Sequence, residues 1–304
     1  MGKDGRTLLR VVEAMPLLPF LLAKMGMSRT SVKALLAHKQ VLVNDRPETQ
    51  FDKPLAAGDV VTVLRNAPQT TAFSHPQLRL VYEDDYLLVV DKREGLLTVA
   101  TAPESHETTV FSILKNWVKK SNSRNGVFVV HRLDRETSGL LVFAKSRDLQ
   151  EFMRENWRSI VSNRAYVALV EGDVQPERDT IVSWLTENPK TTRVFSSFRD
   201  NGGKKSITHY QKIGGNGRLS LLELHLETGR TNQIRVQMAA IGHPVVGDRK
   251  YGNGASPIID RLALHACTLE FEHPATHQPM RFKSPVPKSF LAAVKSNEMR
   301  KVGV

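Results

Sequence analysis

The strand-length apolar segments of this chain are not separated by helices of regular length, and this most constrains its fold. Past residue 78 the strand-like pieces are Tyr86 to Val90, Gly126 to Val130, Leu140 to Ala144, Tyr166 to Val170, Ser220 to Leu226 and Leu262 to Phe271. Helical spacing occurs in Phe111 to Val118, through Phe111, Leu114, Trp117 and Val118, in Leu149 to Trp157, and in Asn232 to Ile241, through Ile234, Met238 and Ile241. A doubly wound parallel sheet needs a crossover helix after nearly every strand. The pattern therefore predicts an α+β fold built on a mixed, largely antiparallel sheet.

Asn66 to His75 carries no acidic residue, no Lys or Arg, and little periodicity, so it reads as a connection between two bodies. The expected organisation is a small N-terminal α/β module at 1–66, a linker at 67–77, a larger body at 78–295 and a tail at 296–304. In the first module Ser28 can cap a helix running to about His38, with Val32, Leu35 and Leu36 on its core face. Arg29 and Lys33 lie one turn apart on a neighbouring face. Strands follow at Val41 to Val43 and Val60 to Val63, with turn-prone Asn44-Asp45 after the first. A basic helix edge followed by short strands suits a grip on an RNA backbone. The same lysine and arginine equally suit a solvated helix face.

Charge and cysteine count narrow the function classes. The 304 residues include 43 Lys and Arg against 31 Asp and Glu, a net charge of +12. Such an excess favours polyanionic partners, because a cationic surface releases counterions when it meets phosphates. No apolar run approaches the ~20 residues of a membrane span; Met15 to Met27 is short and interrupted by Pro16, Pro19 and Lys24. The single cysteine, Cys267, excludes an intramolecular disulfide framework and any multi-cysteine metal cage, and it reads as a buried core thiol. A basic, cytoplasmic protein, monomeric and with no membrane contact, is expected.

The densest chemistry lies in His131-Arg132-Leu133-Asp134-Arg135-Glu136-Thr137-Ser138-Gly139, held between two apolar strands. Such a segment presents polar side chains to a cleft from a rigid scaffold. Asp134 taken alone is as readily a structural carboxylate paired with a neighbouring arginine. Two further segments share this character. Thr228-Gly229-Arg230-Thr231-Asn232-Gln233-Ile234-Arg235 places two arginines at a helix start, where free N–H groups favour anions. His243 to Gly252 is rich in turn residues.

In this order the motifs resemble the RluA-like family of RNA pseudouridine synthases. The likeness covers roughly Leu78 to Pro287 and rests on five segments: residues 131–139, Arg164-Ala165-Tyr166 with Ala168, Gly229 to Arg235, His243-Pro244 to Gly247-Asp248, and Leu264-His265-Ala266 with His273-Pro274. The N-terminal module, over roughly residues 17–64, resembles the small alpha-L RNA-binding motif of a ribosomal protein. It has His38-Lys39-Gln40 where that motif usually carries Gly, and Asn44-Asp45 where Asn-Gly is usual.

The resemblance implies that Asp134 is the catalytic aspartate, that Tyr166 stacks on the target base and that Arg235 pairs with the aspartate. Arg132 is then the side chain that fills the space vacated by a flipped base. Arg230 becomes a phosphate or structural contact, and His131, Arg29 and Lys33 further RNA contacts. Asn232 and Gln237 stand where many relatives carry His. No cofactor and no metal are expected, since the isomerisation exchanges no electrons. Ribosomal RNA of the large subunit is the expected substrate, free or within an assembly intermediate. Transfer RNA and a non-catalytic RNA-binding or ribosome-assembly role are the alternatives.

Other chemistries find less support. His273 and His277 have metal-ligand spacing, but Pro274 and the polar residues between them predict a loop, and His225 and His265 read as structural or surface residues. No Gly-x-x-x-x-Gly-Lys-Ser/Thr run is present to cradle a nucleotide phosphate.

Overall fold

The structure, a computed structural model, describes residues 6–37, 40–64, 73–100, 102, 105–121 and 125–295. The chain forms two compact units that divide between Ala72 and Phe73. The helix end expected at His38, most of the expected linker and the tail at 296–304 lie outside the described residues.

The first unit runs β1 (Arg6–Arg10), β2 (Met15–Pro16), α1 (Leu17–Met25), α2 (Arg29–Ala37), β3 (Val41–Val43), β4 (Arg46–Pro47), β5 (Pro54–Leu55) and β6 (Val60–Leu64). Its sheet has the order β1-β6-β3-β4, and β2 pairs with β5. Helix α1 was not among the elements expected from the sequence. Pro19 is harmless there: it is the third residue of the helix, where an N–H would have no acceptor within the helix. Ser28 caps α2 by accepting the Ser31 N–H at 3.1 Å. Leu17, Phe20 and Leu21 of α1 pack with Val32 and Leu36 of α2 and with Val41, Val61 and Val63. Asn44 and Asp45 take φ of 50° and 62°, as the two-residue turn between β3 and β4 requires.

The second unit begins with β7 (Leu78–Glu83), β8 (Leu87–Lys92), α3 (Val110–Ser121), β9 (Phe128–Val129), β10 (Ser138–Ala144), α4 (Arg147–Glu155), α5 (Trp157–Ile160) and β11 (Val161–Glu171). It continues with β12 (Arg178–Glu187), β13 (Val194–Ser197), β14 (Lys204–Gly215), β15 (Leu219–Leu226), α6 (Gln233–Ala240), β16 (Leu264–Glu272), β17 (Pro279–Lys283) and α7 (Lys288–Lys295). The expected strand over Gly126 to Val130 shortens to β9. The expected helix over Leu149 to Trp157 starts earlier, because Ser146 caps it by accepting the Leu149 N–H at 3.2 Å, and it is divided at Asn156 into α4 and α5.

Eleven strands form one mixed sheet of order β13-β12-β14-β15-β11-β16-β10-β8-β7, with β17 beside β16 and β9 beside β10. All its pairs are antiparallel except β10 with β16, so the fold is α+β with a mixed, largely antiparallel sheet. Strands β8 and β10 are covered on both faces. Leu88, Val90, Leu141 and Phe143 join one core, and Leu87, Val89, Leu140 and Val142 the other. This explains why both read as unbroken apolar runs rather than alternating ones.

The parallel seam is short, Ser138 opposite His265 and Gly139 opposite Ala266. Gly139 has φ of 115°, and a Cβ there would stand 2.2 Å from the Ala266 carbonyl oxygen. Gly139→Ala should therefore destabilise the protein by about 2–5 kcal/mol, combining backbone strain with overpacking. A urea midpoint equal to that of the parent protein would contradict this account of the seam.

Candidate active site

The seam sets the site's geometry. Tyr166 of β11 lies opposite Ala266, which in turn lies opposite Gly139. Tyr166 is thus two strands, about 10 Å, from the end of the loop at residues 130–137. That loop is clamped by its backbone. Thr98 Oγ1 accepts the Leu133 N–H at 3.2 Å and donates to the Leu133 carbonyl at 2.7 Å. The Arg135 carbonyl accepts the Gly95 N–H at 2.9 Å and Lys92 Nζ at 3.0 Å. Asp134 lies between these two fixed residues, with its carboxylate partly exposed.

Arg235 of α6 reaches it. Arg235 Nη1 donates to Asp134 Oδ2 at 3.3 Å and to Asn232 Oδ1 at 3.1 Å, and Nη2 lies 3.8 Å from Glu136 Oε2. Asp248 grips the other edge of the guanidinium, accepting from Nε at 2.7 Å and from Nη2 at 2.8 Å. The Tyr251 ring lies 5.3 Å from the guanidinium carbon. Arg235 is 5% exposed and Asp248 1%, so this two-pronged pair is dry and rigid. Burial alone would raise the Asp248 carboxyl. The hydrogen bonds and charge of Arg235, with the Tyr251 and Lys250 N–H groups, outweigh it and hold the carboxyl below its ordinary range. Arg235 is pushed up in turn: burial opposes its charge, and Asp248 and Asp134 overcome that.

These groups open into a cleft of about 1140 Å³ lined by Asp134, Tyr166 and Arg235. Six further cations line it: Arg132, Arg154, Arg158, Arg164, Lys205 and Arg230. Buried Tyr166 forms part of the wall. Its hydroxyl makes no hydrogen bond among the described residues, and burial raises its pKa. Exposed Arg132 stands beside Asp134. His131 also lines the cleft, but its ring packs on Trp157 with centroids 4.9 Å apart. Its Nε2 accepts the Val142 N–H at 3.2 Å, while Nδ1 is buried without a partner. Burial, aided by Arg164, brings its pKa down to about 3, so the ring is neutral.

Arg230 donates its backbone N–H to Gln233 Oε1 at 3.0 Å, and its Nε is buried without a partner. A Cβ at Gly229 would stand 2.7 Å from Arg164 Nη2, which donates to the Thr228 carbonyl at 3.2 Å, so a side chain there would shift that guanidinium. Arg29 and Lys33 belong to the other unit. Both are exposed, and Lys33 Nζ lies 5.4 Å from the Phe51 ring centroid.

Lys92, Thr98, Trp157, Asp248 and Tyr251 were not assigned roles from sequence. Asp248 stood in a recognised motif, but nothing in its spacing announced a grip on Arg235. Lys92 did leave a signal, a charge ending an apolar run. It is buried, and burial brings its ammonium down to about 7.

Cys267 is buried in the core, where burial raises its thiol pKa. His273 is buried against Asp84 Oδ2 at 2.9 Å, in a turn. No group of three or more His, Cys, Asp or Glu among the described residues could hold a metal ion. No helix among them is long and apolar enough to cross a membrane.

A model of the RNA pseudouridylate synthase family matches residues 86–240, a span that takes in Asp134, Tyr166 and Arg235. The chain belongs to this family. It is 33% identical over 272 residues to YhcT of Bacillus subtilis, named as an uncharacterized RNA pseudouridine synthase, with 86% of each chain covered. It is also 33% identical over 274 residues to the ribosomal large subunit pseudouridine synthase D of Neisseria meningitidis serogroup B, covering 86% of this chain and 72% of that one. Among solved structures, human RNA pseudouridylate synthase domain containing 1 superposes with a TM-score of 0.56 and 27% identity, over 70% of this chain and 85% of that one. The protein is therefore an RNA pseudouridine synthase, an isomerase whose substrate is RNA.

Proposed function

We propose that this synthase isomerises specific uridines of large-subunit ribosomal RNA, with Asp134 as its catalytic residue. The observation that carries the reading is the placement of Asp134. It is a partly exposed carboxylate on a clamped loop, 3.3 Å from the buried, fully engaged Arg235 and at the floor of a cationic cleft.

The reaction breaks the C1′–N1 bond of uridine and joins C1′ to C5; C5 loses a proton and N1 gains one. One carboxylate suffices, as nucleophile toward sugar or base or as the base that removes a sugar proton. The target atoms are hidden in stacked RNA, so the nucleotide is extruded at a cost of a few kcal/mol. In this reading Tyr166 stacks on the extruded base and recovers about 1–3 kcal/mol. Arg235, fixed by Asp248, orients Asp134. Arg132 occupies the gap left in the RNA, and Arg230 meets phosphate. His131, neutral and packed on Trp157, supports the loop and borders the base.

The N-terminal unit, with Arg29 and Lys33 on its exposed helix face, is proposed as an alpha-L-type RNA grip, and residues 78–295 as the catalytic domain. The enzyme acts as a cytoplasmic monomer. The ribosomal target is supported by the name of the Neisseria relative.

The test is tritium release from uridine labelled at C5, offered separately in large-subunit RNA, small-subunit RNA and transfer RNA. Large-subunit RNA, free or in an assembly intermediate, should release label at least about tenfold faster than the other two. Release from transfer RNA alone would overturn the ribosomal assignment.

A further inference from the structure

The sheet half formed by β13, β12, β14 and β15 mixes polar and apolar residues on its two faces, with Ile181, Leu185 and Tyr210 among the buried ones. Its inward residues include Ser183, Ser206 and Thr208, all fully buried. Gln237 of α6 satisfies them, donating to Ser183 Oγ at 2.9 Å and to the Ser206 carbonyl at 3.1 Å, and accepting from Thr208 Oγ1 at 2.6 Å. The outward face carries Val182, Trp184, Ile207 and Phe195 among Thr186, Lys205 and His209. Ile207 lies opposite Val182, Lys205 opposite Trp184, and Trp184 opposite Ser197. Phe195, opposite Thr186, is diagonal to Trp184 on the same face. Phe195 is 52% exposed, and Trp184, Val182 and Ile207 are half-buried. Phe198, just beyond β13, is 56% exposed.

Phenylalanine and tryptophan left open side by side next to an active cleft mark a surface that takes an occupant. Two observations identify it. The face is continuous with the active cleft: Lys205, Ile207, His209 and His225 belong to both. It is also rimmed by exposed cations. Lys204, Lys205 and Arg199 make no side-chain ion pair among the described residues. Aromatic rings on an open sheet with unpaired cations beside them match single-stranded RNA, whose bases stack and whose phosphates seek charge.

We propose that this open face is a stacking platform for nucleotides flanking the target uridine. Phe195 and Trp184 receive bases, and Lys205 receives the backbone as it leaves the cleft. The strand would cross β14, β12 and β13, about 10 Å. This rests on the RNA substrate established for the family and on Asp134 marking where the target uridine sits.

The full chain is titrated with a fluorescein-labelled oligouridylate of about twelve nucleotides, and tritium release is followed on C5-labelled RNA. Phe195→Ala, at an exposed position, should weaken oligouridylate binding about fivefold or more, the scale of one lost base–ring stack. The loss should fall on KM rather than kcat, and Phe195→Tyr should restore binding. Lys205→Ala should reduce the salt dependence of binding by about 0.7 in the log–log slope, the share of one phosphate contact on a single strand. Affinity and KM within twofold of the parent for Phe195→Ala would overturn the platform. So would sedimentation showing a parent dimer that Phe195→Ala dissociates, since the face would then join two copies of the chain. The titration needs no turnover, so a parent silent on every RNA would remove the Asp134 reading while the titration still decides the platform.

Discussion

Asp134→Asn is expected to lower tritium release by on the order of 10³-fold or more while leaving RNA affinity within a fewfold of the parent. Asparagine keeps the size of the side chain and can still meet Arg235, but it can neither attack carbon nor accept a proton as a carboxylate does. The loop should keep its shape, because its clamps are backbone contacts made by Thr98, Lys92 and Gly95 rather than by Asp134 itself. RNA affinity should persist because the cleft's cations and stacking surfaces are untouched. An equal loss of affinity and rate would make Asp134 a binding residue.

Asp248→Ala is expected to produce the largest loss of stability of any single change in the cleft. It removes both short acceptors of Arg235 and leaves a guanidinium that is 5% exposed with the longer contacts to Asp134 and Glu136, the amide of Asn232 and the Tyr251 ring. Removing one partner of a buried pair costs about 3–5 kcal/mol, because the remaining charge is uncompensated. The rate should fall as well, since Arg235 would lose the orientation that brings Nη1 to Asp134. Urea denaturation and tritium release on the same sample check both. The pair also has a pH signature. The Asp248 carboxyl is held below its ordinary value in the folded protein. Its stabilisation is therefore complete above the unfolded pKa of about 3.9 and is lost as pH falls below that. Asp248→Ala should flatten this acid limb of the stability curve; an unchanged midpoint in urea would show that Arg235 finds other partners.

The motif loop was legible because it is short and its flanking strands are apolar without interruption. Residues 130–137 between β9 and β10 read as a polar loop on a rigid frame. The meeting of Asp134 with Arg235 was not legible from the residues. They are far apart in sequence, and only the fold's topology brings Arg235 of α6 to the loop that holds Asp134, so that pairing entered through resemblance. Strands β12 and β14 were missed for a specific reason. Their inward positions mix Ser183, Ser206 and Thr208 with Ile181, Leu185 and Tyr210, and their outward ones mix Val182, Trp184 and Ile207 with Thr186, Lys205 and His209, so neither strand alternates cleanly. The buried Ser183 and Thr208 hydroxyls are satisfied by the Gln237 amide from another element, which no local pattern announces. Helix α1 was hidden by prolines that the first turn tolerates. The stem of Lys92 is buried with its charge turned onto loop carbonyls, a placement that no local pattern specifies.

The most direct test of the central claim is tritium release at C5 under single turnover, for the parent and for Asp134→Asn, with binding of the same RNA measured in parallel. Release by the parent, and none by a variant that binds equally well, is the predicted result. Release by Asp134→Asn at the parent's rate would contradict the assignment of the chemistry to Asp134.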